Sequence, residues 1–155
     1  MLKHMRHYVK HTKDYILYII IDKIGIVIME SNVDVNISDR VALFIGTSGS
    51  GKTFLFGLLR KKAVIEGKRT IIVDSSSMRT EDGSDIDFDC DIVFLDNADL
   101  YMSDSLFRRM TQGKANVLVN MKSAEHVLKN DNIGYYNVYY ENDRIWTKRR
   151  SMVGG

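Results

Sequence analysis

The chain has no proline and a single cysteine, Cys90, in 155 residues. One thiol excludes an internal disulfide framework and suits a reducing compartment, so a cytoplasmic location is expected. The missing prolines, together with only 11 glycines, argue against linkers and low-complexity segments. Long apolar runs are absent as well. The stretch at residues 15–29 is too short for a bilayer span and is broken by Asp22 and Lys23, so no membrane span is expected. Before it, Lys3, Arg6, Lys10 and Lys13 leave no apolar run of signal-peptide length. Charge of one sign is also scarce: 22 Lys and Arg face 20 Asp and Glu, a formal net charge of +2. Coating of nucleic acid by charge alone is therefore not implied.

What is present, 45% hydrophobic and 27% charged residues, is the mix of one compact domain. The expected organisation is a basic tail at 1–13, one domain at 14–150 and a flexible C-terminus at 151–155. Residues 15–29 read as a β-hairpin, two Ile/Val/Tyr runs joined by a short polar break. The run VALFI at 41–45 has the continuous apolar character of a strand buried on both faces. A helix follows from 52 to about 64, with Gly57 expected at a close-packing position and Gly67 as its terminator. TIIVD at 70–74 and IVFLD at 92–96 read as buried strands ending in a carboxylate. A helix at about 102–110, a strand at 117–120, a short helix through 126–129 and a Tyr-rich hairpin complete the series. Strands alternating with helices imply right-handed crossovers and a mainly parallel sheet with ligands at the strand carboxyl ends.

Between VALFI and the first helix the chain reads Gly46, Thr47, Ser48, Gly49, Ser50, Gly51, Lys52, Thr53, which fits G-x-x-x-x-G-K-[ST]. Glycines permit positive φ and close backbone approach, successive N–H groups line one concavity, and the helix N-terminus adds partial positive charge. Lys52 is expected on the β- and γ-phosphates, Thr53 on Mg²⁺, and Ser48, Gly49, Ser50 and Gly51 around the cradle. An accidental match in a chain this long has a chance of about half a percent at average residue frequencies.

Residues 41–59 resemble the Walker A unit of the P-loop NTPases, and Ile92-Val93-Phe94-Leu95-Asp96 is similar to their Walker B element. The resemblance points to the division with an additional strand between those two, which includes AAA-type and ABC-type ATPases. It implies an α/β three-layer sandwich with a mainly parallel central sheet and antiparallel hairpin additions at both chain ends. It also implies ATP as ligand, with Thr53 and Asp96 holding Mg²⁺. Where that division typically has a glutamate base, this chain has Asn97, whose amide orients water but accepts no proton; Asp99 is the alternative group. Asn120 falls where a polar sensor of the γ-phosphate is placed, or is a structural strand-end asparagine. A signature of the ABC transporters is absent, and Gln112 is the sole glutamine. GTP selectivity is not supported, because the Asp that reads guanine is missing. An arginine finger would come from Arg108, Arg109, Arg149 or Arg150 of a neighbour, or be absent.

The expected function is thus a Mg-dependent ATPase of low turnover whose nucleotide state gates contact with a partner subunit, protein or DNA, the last through the basic termini. Self-association or a larger complex is the expected setting. One alternative is a small-molecule kinase of the adenylylsulfate type, with Asp74 and Arg79 at the acceptor. Another is a nucleotide-dependent binding module without turnover. His4, His7 and His11 have spacings that one helical face could gather for a metal, against the simpler reading of a frayed basic tail. Glu81, Asp82, Asp85, Asp87, Asp89 and Asp91 miss the calcium-loop spacing and read as a solvated loop. Cross-strand packing accounts for Tyr135, Tyr136, Tyr139, Tyr140 and Trp146 more simply than base stacking.

Overall fold

The structure, a computed structural model, describes residues 11–12, 15–16, 18–22, 25–30, 32–46, 51–123 and 133–150. Residues 47–50, the helix expected through 126–129, His4 and His7 lie outside them. β1 (His11–Thr12) pairs antiparallel with β2 (Tyr15–Ile16). His11 therefore stands in an extended segment and not on a helical face, because its backbone pairs with that of Ile16.

A second sheet has nine strands. β3 (Tyr18–Asp22) and β4 (Gly25–Glu30) form the expected antiparallel hairpin, with Asp22 opposite Gly25. β5 (Val33–Ile37) extends this meander. It was not anticipated, although Val33, Val35 and Ile37 alternate with polar residues and are buried as a strand of period two requires. β6 (Val41–Ile45), β7 (Thr70–Val73), β8 (Ile92–Leu95) and β9 (Asn116–Met121) follow in the chain. The Tyr-rich hairpin is β10 (Ile133–Glu141) with β11 (Arg144–Arg149).

The strands lie in the order β3-β4-β5-β11-β10-β6-β9-β8-β7. All pairs from β10 to β7 are parallel. β11 does not hang off an end: it runs parallel to β5, Ile145 opposite Val33, and joins the N-terminal meander to the parallel core. β7 is the edge of the sheet and only partly covered, with Ile72 41% exposed. The expectation of a buried strand fails there: only Val73 is buried, and Thr70 and Ile72 line a groove beside α1.

Helices cover both faces. α1 (Lys52–Ile65) packs Leu55, Phe56, Leu59 and Ala63 against Ala42, Phe44, Phe94 and Leu118. Phe56 meets Phe44 and Phe94 edge-on at 5.8 and 5.5 Å. α2 (Asp104–Gln112) packs Leu106, Phe107 and Met110 on the other face with Leu43, Val93, Leu95 and Val119. Alternation along β6 explains the division, and each large side chain fully buried this way contributes about 2 kcal/mol. α1 closes at Gly67, whose φ of 68° suits a residue without a side chain. Gly57 is not a close-packing position: a Cβ there meets nothing within 4 Å. It faces a groove of about 620 Å³ between the C-terminal half of α1 and β7, lined also by Arg60, Lys61, Val64, Ile65 and Ile72. No helix among the described residues is long and apolar enough to cross a membrane.

Candidate functional site

The carboxyl ends of β6, β8 and β9 converge on the start of α1. β9 lies between β6 and β8, so neighbours in sequence are not neighbours in the sheet. Gly46 follows β6, and its N–H donates to the Met121 carbonyl at the end of β9, 3.3 Å away. Lys52, 7% exposed, donates from Nζ to the carbonyls of Gly46 and of Met121, the latter at 2.9 Å. Burial is the largest influence on this ammonium and lowers its pKa; Lys122 lowers it further, while Asp99 and Asp96 oppose both. Thr53 is exposed in the first turn.

The two helix starts differ. α2 is capped by Ser103, whose Oγ accepts the Leu106 N–H at 3.1 Å, and has Asp104 in its first turn. α1 begins after Gly51, at φ 92°, with no side-chain cap and no acidic residue in its first turn. Its first intrahelical acceptor is the Gly51 carbonyl, bonded to the Leu55 N–H at 2.9 Å. The three N–H groups before Leu55 have no intrahelical partner, and the partial positive charge there is not offset by its own turn.

Asp96 comes directly after β8. Its Oδ1 accepts Asn120 Nδ2 at 2.8 Å and the Asn97 N–H at 3.1 Å, and neither bond involves Oδ2. Asn120 is 4% exposed in β9, one residue past the Leu95–Val119 pair, so the parallel register brings it beside Asp96. Asn97 takes φ 50°, a left-handed conformation that asparagine tolerates, and opens a short 3-10 helix at Ala98–Leu100. Asp99, in that helix, accepts the N–H of Lys122 at 2.7 Å on one oxygen and of Ser123 at 3.4 Å on the other. Its carboxylate thereby fixes the exit of β9.

Asp74 stands apart. Its Oδ1 accepts the Ser76 and Ser77 N–H groups at 2.9 and 3.0 Å and the Ser76 hydroxyl at 2.6 Å, bonds that hold its pKa below the usual carboxylate value. Arg79 uses its N–H on Asp85, 3.2 Å away. Of the four arginines considered as fingers, Arg109 pairs with Asp82 at 3.6 Å and Arg149 with Asp39 at 2.9 Å.

Three further groups at these strand ends carry no sequence pattern of their own. Tyr101 donates its hydroxyl to the Asp96 carbonyl at 2.8 Å; burial first, then the charges of Asp96 and Asp74, push its pKa up. Lys122 borders Lys52 electrostatically. The Met121 carbonyl holds Lys52, and a backbone acceptor leaves no residue-type signal. Tyr101 five residues after Asp96, and Lys122 just past a strand end, were visible positions without a distinguishing pattern.

No protein-family model matches the chain. No curated protein matches it either. Among solved structures, the solution structure of protein NMB1076 from Neisseria meningitidis is similar over 59% of this chain and 66% of that chain, just under two thirds of its length. The identity is 22% and the TM-score 0.40; a likeness of that size assigns neither fold nor function.

Proposed function

We propose that the chain is a P-loop NTPase of the additional-strand division that binds ATP with Mg²⁺, turns it over slowly, and uses its nucleotide state to gate contact with a partner subunit, protein or DNA. The observation that carries this reading is the junction of β6 and α1. There the sequence GTSGSGKT ends at an uncapped helix start beside a lysine buried on two neutral carbonyls. Support comes also from the strand order, in which β9 separates β6 from β8, and from a helix on each face of the sheet.

Lys52 is already stripped of most of its water, so its attraction for a phosphate is little screened. An anion at this point also meets the N–H groups of the first turn of α1, which have no intrahelical acceptor. Thr53 and Asp96 offer a hydroxyl and a carboxylate, the hard oxygen donors Mg²⁺ requires, and Asp96 Oδ2 is left by the bonds to Oδ1 to face a metal-bound water. Mg²⁺, when bound, neutralises charge on the β- and γ-phosphates. Asn120 holds Asp96 in orientation and Asn97 presents an amide to water. Neither group accepts a proton, and Asp99 is held at the exit of β9 by the Lys122 and Ser123 N–H groups, so no described residue stands directly after Asp96 as a general base.

That lack favours a second reading, a nucleotide-dependent binding module without turnover. The phosphotransferase alternative gains no support, since Asp74 braces its own turn through Oδ1 and follows the end of β7, one strand further from β6 than β8 is. Phosphate release measured for wild type, Lys52→Ala and Asn97→Glu tests both readings. Slow release above the Lys52→Ala level is expected, with a rise of about 100-fold in Asn97→Glu as a base is installed. Release equal to the enzyme-free blank with ATP still bound selects the binding module; absence of ATP binding overturns both.

A further inference from the structure

Two large aromatic rings lie exposed at the start of α1. Phe54 is 54% exposed and Tyr140 46%, and their centroids are 5.5 Å apart with planes tilted by 44°. Phe54 follows Thr53 in the first turn. Tyr140 continues the row of β10 that faces α1: Tyr136 and Val138 before it are buried beneath the helix, whereas Tyr140 lies beyond the helix end. It sits directly against the turn into α1, where a Cβ built on Gly51 would fall 2.8 Å from the Tyr140 Cβ. Cross-strand packing explains the neighbouring ring but not this one. Tyr139 stacks on Trp146 at 5.4 Å and 14°, while Tyr140 stands opposite Ile145 and turns to Phe54.

We infer that Phe54 and Tyr140 form a stacking platform for the base of a nucleoside triphosphate, and that the platform accepts adenine and guanine alike. The inference rests on the phosphate-binding reading above. With phosphates on Lys52 and the first-turn N–H groups, the nucleoside leaves the site across the outer side of that turn, where Phe54 and Tyr140 expose apolar surface. Every base has a π-face, so stacking holds it without reading its edge. The pair has one polar atom, the Tyr140 hydroxyl, and Asp143 Oδ1 engages it at 3.4 Å. A single engaged hydroxyl supplies no donor–acceptor pattern that separates the two purines.

Calorimetric titration of the full chain in Mg²⁺ with ATP, GTP and inorganic tripolyphosphate tests this, using wild type, Phe54→Ala, Tyr140→Ala, Tyr140→Phe and Lys52→Ala. ATP and GTP affinities within about threefold of each other are expected. Each alanine variant at the platform should weaken both nucleotides about tenfold, leave tripolyphosphate unchanged, and be rescued at position 140 by phenylalanine. Lys52→Ala should weaken all three ligands. Tripolyphosphate bound through Lys52, with nucleotide affinity indifferent to Phe54 and Tyr140, overturns the platform alone, as does a large preference for either purine. Failure of wild type to bind any of the three overturns the phosphate reading and the platform with it. Unchanged far-UV circular dichroism checks folding, and Tyr140→Ala retains the Cβ that packs on Gly51.

Discussion

Asp39 sits where three parts of the chain meet. Its carboxylate accepts Arg149 Nε at 2.9 Å and Nη2 at 3.2 Å, and the Tyr136 hydroxyl at 2.6 Å. Burial alone would raise its pKa, but the bonds from Arg149 and Tyr136 outweigh burial and leave it below the usual value. A carboxylate with a depressed folded pKa adds stability that is complete above its unfolded value of about 3.9 and is lost as pH falls through the folded value. Arg149→Met should therefore cost about 1 kcal/mol at pH 7, a modest figure because 43% of the Arg149 side chain is open to solvent screening. Urea midpoints at pH 7, 5 and 3 should fall less steeply in the variant than in wild type, and parallel slopes would refute the assignment. Arg149 is thus occupied in holding β11 to the start of β6, which leaves it unsuited to serve a neighbouring site.

At the scale of elements, Arg40 sets where α2 ends. Its guanidinium donates to the carbonyls of Thr111 at 2.7 Å, Ala115 at 2.7 Å and Met110 at 3.3 Å, tying the helix C-terminus and the approach to β9 to the strand before them. Arg40→Met keeps the apolar stem but leaves these acceptors without their donor, so a loss of about 2 kcal/mol in chemical denaturation is expected. A loss within experimental error would contradict that role. The elements themselves were largely legible. VALFI, the helical spacing of Phe54, Leu55, Leu58, Leu59 and Ala63, and the apolar run at 92–95 announce β6, α1 and β8 locally, although Phe54 of that set is exposed and Phe56, outside it, is buried. What was not legible is non-local. Nothing in the Tyr-rich hairpin says that β11 pairs with β5, and nothing near Gly57 says that the face above β7 stays uncovered. The same holds at the site: Asp96 and Asn120 were each readable as strand-end polar residues, but their bond depends on β8 and β9 being neighbours. That Asp99 is consumed by the Lys122 and Ser123 N–H groups depends on the same adjacency.

Across the whole molecule, strand order decides which acid lies nearer the junction of β6 and α1. By the ordinary spacing between strands, the end of β8 lies roughly 10 Å from the end of β6 and the end of β7 roughly 14 Å. Asp96 is thereby nearer than Asp74, and the hydrogen bonds of Asp74 to Ser76 and Ser77 point its carboxylate into its own turn. The acidic segment at 81–91 is spent in local bonds as well, with Asp82 accepting from Ser84, Asp85 from Thr80 and Asp87 from Asp89. No cluster of three or more metal-ligating side chains occurs among the described residues. The Mg²⁺ proposed at Thr53 and Asp96 would complete its shell with phosphate oxygens and water, as Mg²⁺ on nucleotides commonly does. Nucleotide and metal are proposed to meet at Thr53 and Asp96. A crystal structure with a non-hydrolysable ATP analogue and Mn²⁺ in place of Mg²⁺, read by the anomalous signal of manganese, measures it directly. The account predicts one anomalous peak bonded to the Thr53 hydroxyl, with Asp96 reaching it through water; a peak beside Asp74, or none with nucleotide bound, would contradict it.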